Sequence, residues 1–163
     1  MRWYTLVFGL ACLAPLGWSA PAMADEPSLA DKASARDLFT EAMTLRSKGD
    51  VEQALAKFKA AYALWPSPST GLELGRTHMM LGQFIEARER FLETAKLPPK
   101  PTETPAAQDA RDEARKLADT LQPKIASLTF KVTGAPPGSG VRISLDGREL
   151  PIETLATARK VNP

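Results

Sequence analysis

Apolar residues recur at three- and four-residue spacings along the middle of the chain, which predicts a series of amphipathic helices. Ser28 can cap the first helix, which runs to about Ser47 with Leu38, Ala42 and Leu45 on one face. Three further helices follow, each with its own apolar stripe. The pattern therefore predicts two consecutive helix pairs.

The residues between these helices are of the kinds that end one helix and start the next. Gly49 can adopt the left-handed conformation of a helix terminus, and Asp50 can accept hydrogen bonds from the free N–H groups that follow it. Ser67 and Pro68 suit an N-cap and a first helical turn. The other predicted boundaries are Trp65-Pro66, Leu81, Gly82-Gln83-Phe84, Ala95 and Pro98-Pro99.

The second pair of helices repeats the landmarks of the first. Four landmark residues recur at an offset of 33 positions, a match that helical periodicity alone does not produce. The matched residues are Gly49 and Gly82, Ala54 and Ala87, Phe58 and Phe91, and Pro66 and Pro99. The chain therefore contains an internal repeat of a helical hairpin.

These landmarks resemble those of the tetratricopeptide (TPR) repeats. The resemblance is carried by Gly49, Ala54, Phe58, Ala61 and Pro66 in the first copy and by Leu74, Gly75, Gly82, Phe84, Ala87, Phe91 and Pro99 in the second. Leu38 and Gly71 occupy positions that usually hold Trp, and the period is one residue short of the usual value of roughly 34. The resemblance implies antiparallel helices that contact each other through small residues placed beside each Phe.

A fifth helix follows the repeats. Positions 98–105 form a Pro-rich linker, and positions 106–122 place Ala110, Ala114 and Leu121 on one stripe, as in the capping helix of a repeat array. Repeat arrays usually need about three units to be stable. We therefore expect the helices to be stabilised by packing against the module that follows, a second copy of the chain or a partner.

The last part of the chain, 123–163, changes to the two-residue period of β-strands. Residues 127–133 alternate, with Leu128, Phe130 and Val132 on the apolar side, which predicts a half-buried strand. The fold class predicted for the whole chain is mainly α: two TPR-like hairpins and a capping helix, then a small partial β module of two to three antiparallel strands.

A second strand and a hairpin are predicted further on. A loop at 134–140 precedes an alternating segment at 141–145, and Asp146-Gly147 is a tight-turn pair that folds 148–150 back. The segments Gly134 to Gly138 and Leu145 to Arg148 resemble the opening half of PEGA-type β domains. Those domains follow TPR arrays in many envelope proteins, and the missing half predicts an open strand edge.

The first 24 residues have the layout of a secretory signal peptide. Arg2 precedes an apolar run from Thr5 to Trp18, and Ala22-Met23-Ala24 offers a small-residue cleavage site. The run is shorter than the roughly 20 residues that span a bilayer, and an uncleaved anchor is the alternative. We expect an exported chain, in the periplasm or cell envelope or secreted. Cys12, the only cysteine, is then lost with the signal rather than carrying a lipid.

Charge gives no reason to expect nucleic acid or an anionic membrane surface as a partner. The chain has 21 basic and 19 acidic residues, and loss of Arg2 leaves 20 bases, interspersed with the acids. This near-balance is typical of an ordinary solvated surface.

No motif in the sequence predicts catalysis, and no cofactor or metal is expected. His78 is the only histidine, so histidine clusters are excluded, and its place on a helix favours a packing role. Gly138-Ser139-Gly140 leads into a strand, whereas a nucleophile elbow or a phosphate loop needs a helix there. Asp109 and Asp112 are interpreted as solvated helix neighbours.

The resemblance to TPR arrays implies a concave groove lined by the first helix of each hairpin. It places there Arg36, Phe39, Met43 and Arg46 from the first copy and Leu72, Glu73, Arg76, Met79 and Met80 from the second. Met adapts to irregular apolar partners and Arg pairs with carboxylates, so the expected partner is an amphipathic or extended peptide with acidic residues. Alternatively, the apolar members pack against the fifth helix, the β module or a second chain.

Two functions follow from this sequence. The first is an exported scaffold or adaptor that binds a protein or peptide through the groove. The second is a cell-surface or wall-associated structural module in which the β module makes the contact and the helices act as a spacer. An enzyme is the least favoured class.

Overall fold

The computed structural model describes residues 26–134, 140, 142–145, 147–151, 154–155 and 157–163. The predicted signal peptide, most of the loop predicted at 134–140, and Val141 and Asp146 lie outside the described residues. Within these described ranges the chain forms five α-helices and two antiparallel two-stranded sheets. It is therefore mainly α with a small β part, as the sequence predicts.

The helices form two hairpins and one further helix. Their bounds are α1 (Leu29–Ser47), α2 (Val51–Leu64), α3 (Pro68–Met80), α4 (Phe84–Lys96) and α5 (Pro105–Leu121). α1 packs against α2 and α3 against α4, while α2 also contacts α3. The two hairpins are thus consecutive layers of one helical stack.

A serine caps the first helix of each hairpin, as predicted. Ser28 Oγ accepts a hydrogen bond from the Asp31 backbone N–H at 3.0 Å, and the Asp31 carboxylate accepts from the Ser28 N–H at 3.2 Å. Ser67 Oγ accepts from the Thr70 N–H at 3.2 Å, and Pro68 occupies the first helical turn. These caps satisfy N–H groups that have no partner inside the helix.

The two hairpin turns use glycine in the left-handed region. Gly49 has φ of 90° and Gly82 has φ of 71°, a conformation that is costly for residues with a Cβ. The prediction that the Asp50 side chain caps α2 is wrong: its backbone lies outside the extended region that aims such a side chain at the helix, and it makes no capping bond. Phe84, expected in the turn, is the first residue of α4, because Gln83 O accepts from the Ala87 N–H at 2.9 Å.

Two clusters of buried apolar residues form the helical core. The first consists of Ala42, Ala54, Leu55, Phe58 and Leu74, and the second of Leu72, Ala87, Phe91, Ala110, Ala114, Ala118 and Leu121. Gly75 lies so close to Phe91 that a Cβ at this position would overlap the Phe91 ring. Full burial of a Phe contributes about 1.5–3 kcal/mol. Gly75 therefore allows α3 to approach the fully buried Phe91 ring of α4.

α5 completes the second cluster by packing against α3 and α4. Ala110, Ala114 and Ala118 of α5 belong to the same buried cluster as Phe91 of α4. The Arg111 side chain is buried on the same helix and is paired with Glu103 of the linker. The fifth helix is therefore an integral layer of the stack, which agrees with the capping position expected from the sequence.

A short 3₁₀ turn, Gln122–Lys124, leads from α5 into the β part. The strands are β1 (Ala126–Leu128), β2 (Ile143–Leu145), β3 (Arg148–Leu150) and β4 (Arg159–Val161). β2 pairs with β3, with Ile143 opposite Leu150, which confirms the hairpin predicted around Gly147. β1 pairs with β4, with Ala126 opposite Val161.

The first strand is shorter than the sequence predicts. The expected strand covers 127–133, but β1 ends at Leu128. Its partner strand β4 has three residues, and all three are already paired with residues 126–128. Beyond that point the Phe130 N–H donates to the Leu155 carbonyl at 3.4 Å, outside any regular ladder, and Val132 is 44% exposed. Alternation alone cannot extend a strand that has no partner along its length.

The end of β4 contacts the helical stack. The Ile85 backbone N–H donates to Asn162 Oδ1 at 2.8 Å, and Asn162 Nδ2 donates to a Glu86 carboxylate oxygen at 2.8 Å. Gln83, the N-cap of α4, makes no side-chain capping bond itself. Asn162 therefore caps α4 from a distance of 77 residues along the chain.

Candidate functional site

An open trough runs across α1, α3 and α5. It encloses about 340 Å³ and is lined by Phe39, Ser69, Leu72, Glu73, Arg76, Ala106, Asp109, Ala110 and Glu113. These residues come from the first helix of each hairpin and from the fifth helix. We refer to this surface as the trough.

The floor of the trough is apolar and fixed by the core. The Phe39 ring lies edge-on to Phe58, with ring centroids 5.5 Å apart and planes at 72°. Leu72 is only 7% exposed and belongs to the cluster under α5. A partner would therefore meet a surface that is already in position and does not need to be ordered on binding.

A network of ion pairs connects the three helices that line the trough. Arg46 of α1 pairs with one carboxylate oxygen of Glu73, and Arg76 lies 2.6 Å from the other. Arg76 also reaches Glu113 of α5 at 3.2 Å. The Arg46 and Glu73 side chains are only 15% and 14% exposed, so removal of either partner would leave a largely buried charge without its counter-ion.

The arginines expected to contact a partner are engaged within the chain. The Arg46 guanidinium also donates to Thr77 Oγ1 at 3.2 Å and lies 5.2 Å from the Phe58 ring centroid. Arg36 is exposed, but its guanidinium lies 5.2 Å from the Trp65 ring centroid and does not line the trough. Neither Arg36 nor Arg46 therefore provides a positive charge in the lining of the trough.

The methionines of the expected groove have different surroundings. A second open depression of about 370 Å³, which we call the methionine pocket, is lined by Arg76, Met79, Met80 and Leu117. Met79 packs against the cluster under α5, whereas Met80 is 57% exposed. Met43 is 39% exposed, and its sulfur lies 3.1 Å from the Arg46 guanidinium.

The predicted groove therefore divides into three groups. Phe39, Leu72, Glu73 and Arg76 line the trough, and Arg76 continues with Met79 and Met80 into the methionine pocket. Arg36, Met43 and Arg46 line neither cavity. The structure brings together six of the nine groove residues predicted from the repeat.

The wall of the trough that α5 provides is not among the predicted groove residues. Ala106, Asp109, Ala110 and Glu113 all line it. The signal was present, since positions 106, 110 and 113 and then 109, 113 and 117 recur at helical spacing on neighbouring stripes. The apolar stripe of α5 indicates only its buried side, and the sequence predicts that Asp109 is a solvated neighbour of Asp112.

His78 lies outside the trough, in the packed interior of the stack. It is 6% exposed, and its Nδ1 lies 2.6 Å from Gln83 Oε1. Burial lowers the pKa of the imidazole from 6.5, and this effect outweighs the hydrogen bond to Gln83, which raises the pKa. A neutral, hydrogen-bonded imidazole at this place supports the packing role predicted from the sequence.

The described residues contain neither a metal-binding cluster nor a membrane-spanning helix. Where the chain is described, no three His, Cys, Asp or Glu side chains come together in a way that could hold a metal ion. Of the helices in those ranges, none combines the length and the apolar character needed to cross a bilayer. The predicted loop Gly138-Ser139-Gly140 lies outside the described residues except for Gly140.

No protein-family model, curated protein or solved structure matches this chain.

Proposed function

We propose that this chain is an exported, non-catalytic adaptor that binds an extended or amphipathic peptide segment of a partner protein in the trough. The observation that carries the proposal is an open surface with an apolar floor, made by three helices of a repeat-built stack. Such surfaces bind peptides through a few apolar anchors, with polar residues at the rim. The apparent signal peptide supports a location outside the cytoplasm, in the periplasm or cell envelope.

The composition of the trough supports a peptide better than a small molecule. The cavity is open, and its charged groups Glu73, Arg76 and Glu113 are paired with one another instead of being directed at a ligand. Sites for small molecules bury most of the ligand surface in a concave cavity with a few convergent polar groups. A peptide that crosses the trough would gain its contact area along its length, without needing a deep cavity.

The test is a selection of random dodecapeptides, displayed on phage, against the chain from Asp25 onward. Enriched peptides are synthesised with a fluorescent label, and their affinity is measured by anisotropy for the wild type and for two blocked variants, Ser69→Trp and Ala106→Trp. Both positions are exposed and line the trough from two different helices, α3 and α5. We expect each bulky side chain to weaken binding by about tenfold or more, because it occupies the space of an anchor.

The matched control is Ala60→Trp, the same substitution as Ala106→Trp at an exposed position on α2 outside the trough. It should bind like the wild type, and thermal melting should show that all three variants are folded. If no peptide is enriched, or if the blocked variants bind as well as Ala60→Trp, the trough is not the binding surface and the proposal fails.

A further inference from the structure

An acidic partner would need an excess of positive charge in the trough, but the lining has more carboxylates than guanidinium groups. Its lining contains three carboxylates, those of Glu73, Asp109 and Glu113, and a single guanidinium, that of Arg76. The expectation of acidic residues in the partner depended on Arg36, Arg46 and Arg76, and the structure places all three in contacts within the chain. The charge that a peptide meets is therefore set mainly by α5.

The ion-pair network identifies which carboxylate is left over. Arg46 and Arg76 together neutralise Glu73 and Glu113, two positive charges against two negative ones. Asp109 is exposed and forms no ion pair with any residue that the structure describes. The trough consequently retains one net negative charge, on the α5 wall, at a place where a ligand can reach it.

An apolar subsite lies next to this charge. The methionine pocket shares Arg76 with the trough and is otherwise formed by Met79, Met80 and Leu117. Met80 is 57% exposed, and unbranched thioether side chains adapt to apolar groups of different shape. The pocket thus offers an anchor for an aliphatic or aromatic side chain.

The spacing of the two features defines the ligand more closely. Asp109 and Leu117 are eight positions apart on one side of α5, with Glu113 between them, which corresponds to about 12 Å along the helix axis. An extended peptide advances about 3.3 Å per residue. A peptide that uses both places needs its two contacting side chains three or four positions apart.

We infer that the trough selects peptides in which a Lys or Arg side chain pairs with Asp109 and an apolar side chain, three or four positions away, enters the methionine pocket. This inference rests on the proposed function and adds the chemistry of the partner segment. Charge complementarity of this kind sets the choice of partner and the rate of encounter more than the total affinity.

The test compares three forms of the chain from Asp25 onward in the same dodecapeptide selection: the wild type, Asp109→Lys and Asp119→Lys. Asp119 is exposed on the same helix, outside both cavities, so the two variants change the net charge equally. The wild type and Asp119→Lys should enrich peptides with Lys or Arg three or four positions from an apolar residue. Asp109→Lys should lose this preference and bind the same peptides about fivefold or more weakly, and added NaCl should reduce the difference.

The inference is overturned if the enriched peptides are rich in Asp or Glu, or if they show no charge preference. The proposed function still stands in either case, provided that these peptides bind Ser69→Trp more weakly than the wild type. If the Ser69→Trp and Ala106→Trp variants enrich the same peptides as the wild type, the proposed function fails as well. Sedimentation of the wild type provides a further check. A dimer that becomes monomeric in Ser69→Trp would identify a second copy as the occupant and overturn both claims.

Discussion

His78 carries the only imidazole of the chain and is buried on α3, where its Nδ1 lies 2.6 Å from Oε1 of Gln83 in the turn before α4. Burial lowers its pKa from 6.5, the Gln83 hydrogen bond and the Glu86 charge raise it, and the charges of Lys59 and Arg90 lower it, with a net decrease. The folded protein therefore binds a proton at His78 less readily than the unfolded chain does. Its stability depends on pH for that reason.

The sign of this dependence is fixed by the lowered pKa. As the pH falls through about 6.5, the unfolded chain takes up a proton that the folded chain resists, so the free energy of unfolding should decrease between about pH 7.5 and pH 5.5. His78→Gln keeps a hydrogen-bonding side chain but does not titrate, and it should flatten this slope whatever its absolute stability. Urea unfolding at the two pH values measures both slopes. Equal slopes in the wild type and the variant would show that His78 is not the titrating group.

The contact between Asn162 and α4 shows how one element completes another. The β4 strand has little intrinsic stability, since it consists of three residues paired with three of β1. Its neighbour Asn162 supplies the hydrogen bond that the N-terminus of α4 lacks. The β part thus adds a cap to the second hairpin, and the hairpin in turn holds the strand in place.

Asn162→Ala should lower the free energy of unfolding by about 1 kcal/mol, the usual effect of losing a helix cap. Lys160→Ala, an exposed position on the same strand, is the control and should have almost no effect. Hydrogen exchange provides a local test, because the Ile85 amide should exchange faster in Asn162→Ala and unchanged in Lys160→Ala. An Ile85 amide that is equally protected in both variants would contradict this account of the cap.

The elements that the sequence predicted correctly depend on local signals. Ser28, Ser67, Gly49 and Gly82 act within one turn of their own position, so caps and hairpin turns could be placed from the order of residues alone. The β2–β3 hairpin, closed by Gly147, belongs to the same class.

The features that the sequence did not reveal depend on contacts between distant residues. The length of β1 is set by β4, and the cap of α4 by Asn162, 77 residues away. The wall that α5 adds to the trough, and the pairing of Arg46 with Glu73, both require the helices to be docked. A pattern within one helix cannot show which residue of another helix it will meet.

In the molecule as a whole, the five helices pack together and the β part contacts them through Asn162. The helical and β parts differ in the kind of surface that each leaves exposed. The helices leave the trough and the methionine pocket open on one side of the stack. Among the strand residues that the structure describes, the exposed ones are small or polar: Ala126, Ser127, Ser144, Arg148, Glu149 and Lys160. The alternative function, in which the β module makes the contact and the helices are a spacer, therefore lacks a comparable surface among the described residues.

The central claim is that the partner segment lies in the trough, and its most direct test is an NMR titration. The ¹⁵N-labelled chain from Asp25 onward is titrated with the most strongly enriched dodecapeptide, and amide shift changes are mapped along the sequence. If the peptide lies in the trough, the changes should concentrate on α1, α3 and α5, around Phe39, Leu72 and Asp109, with little change on α2. Changes concentrated on β2 and β3, with the trough unaffected, would contradict it and assign the contact to the β module.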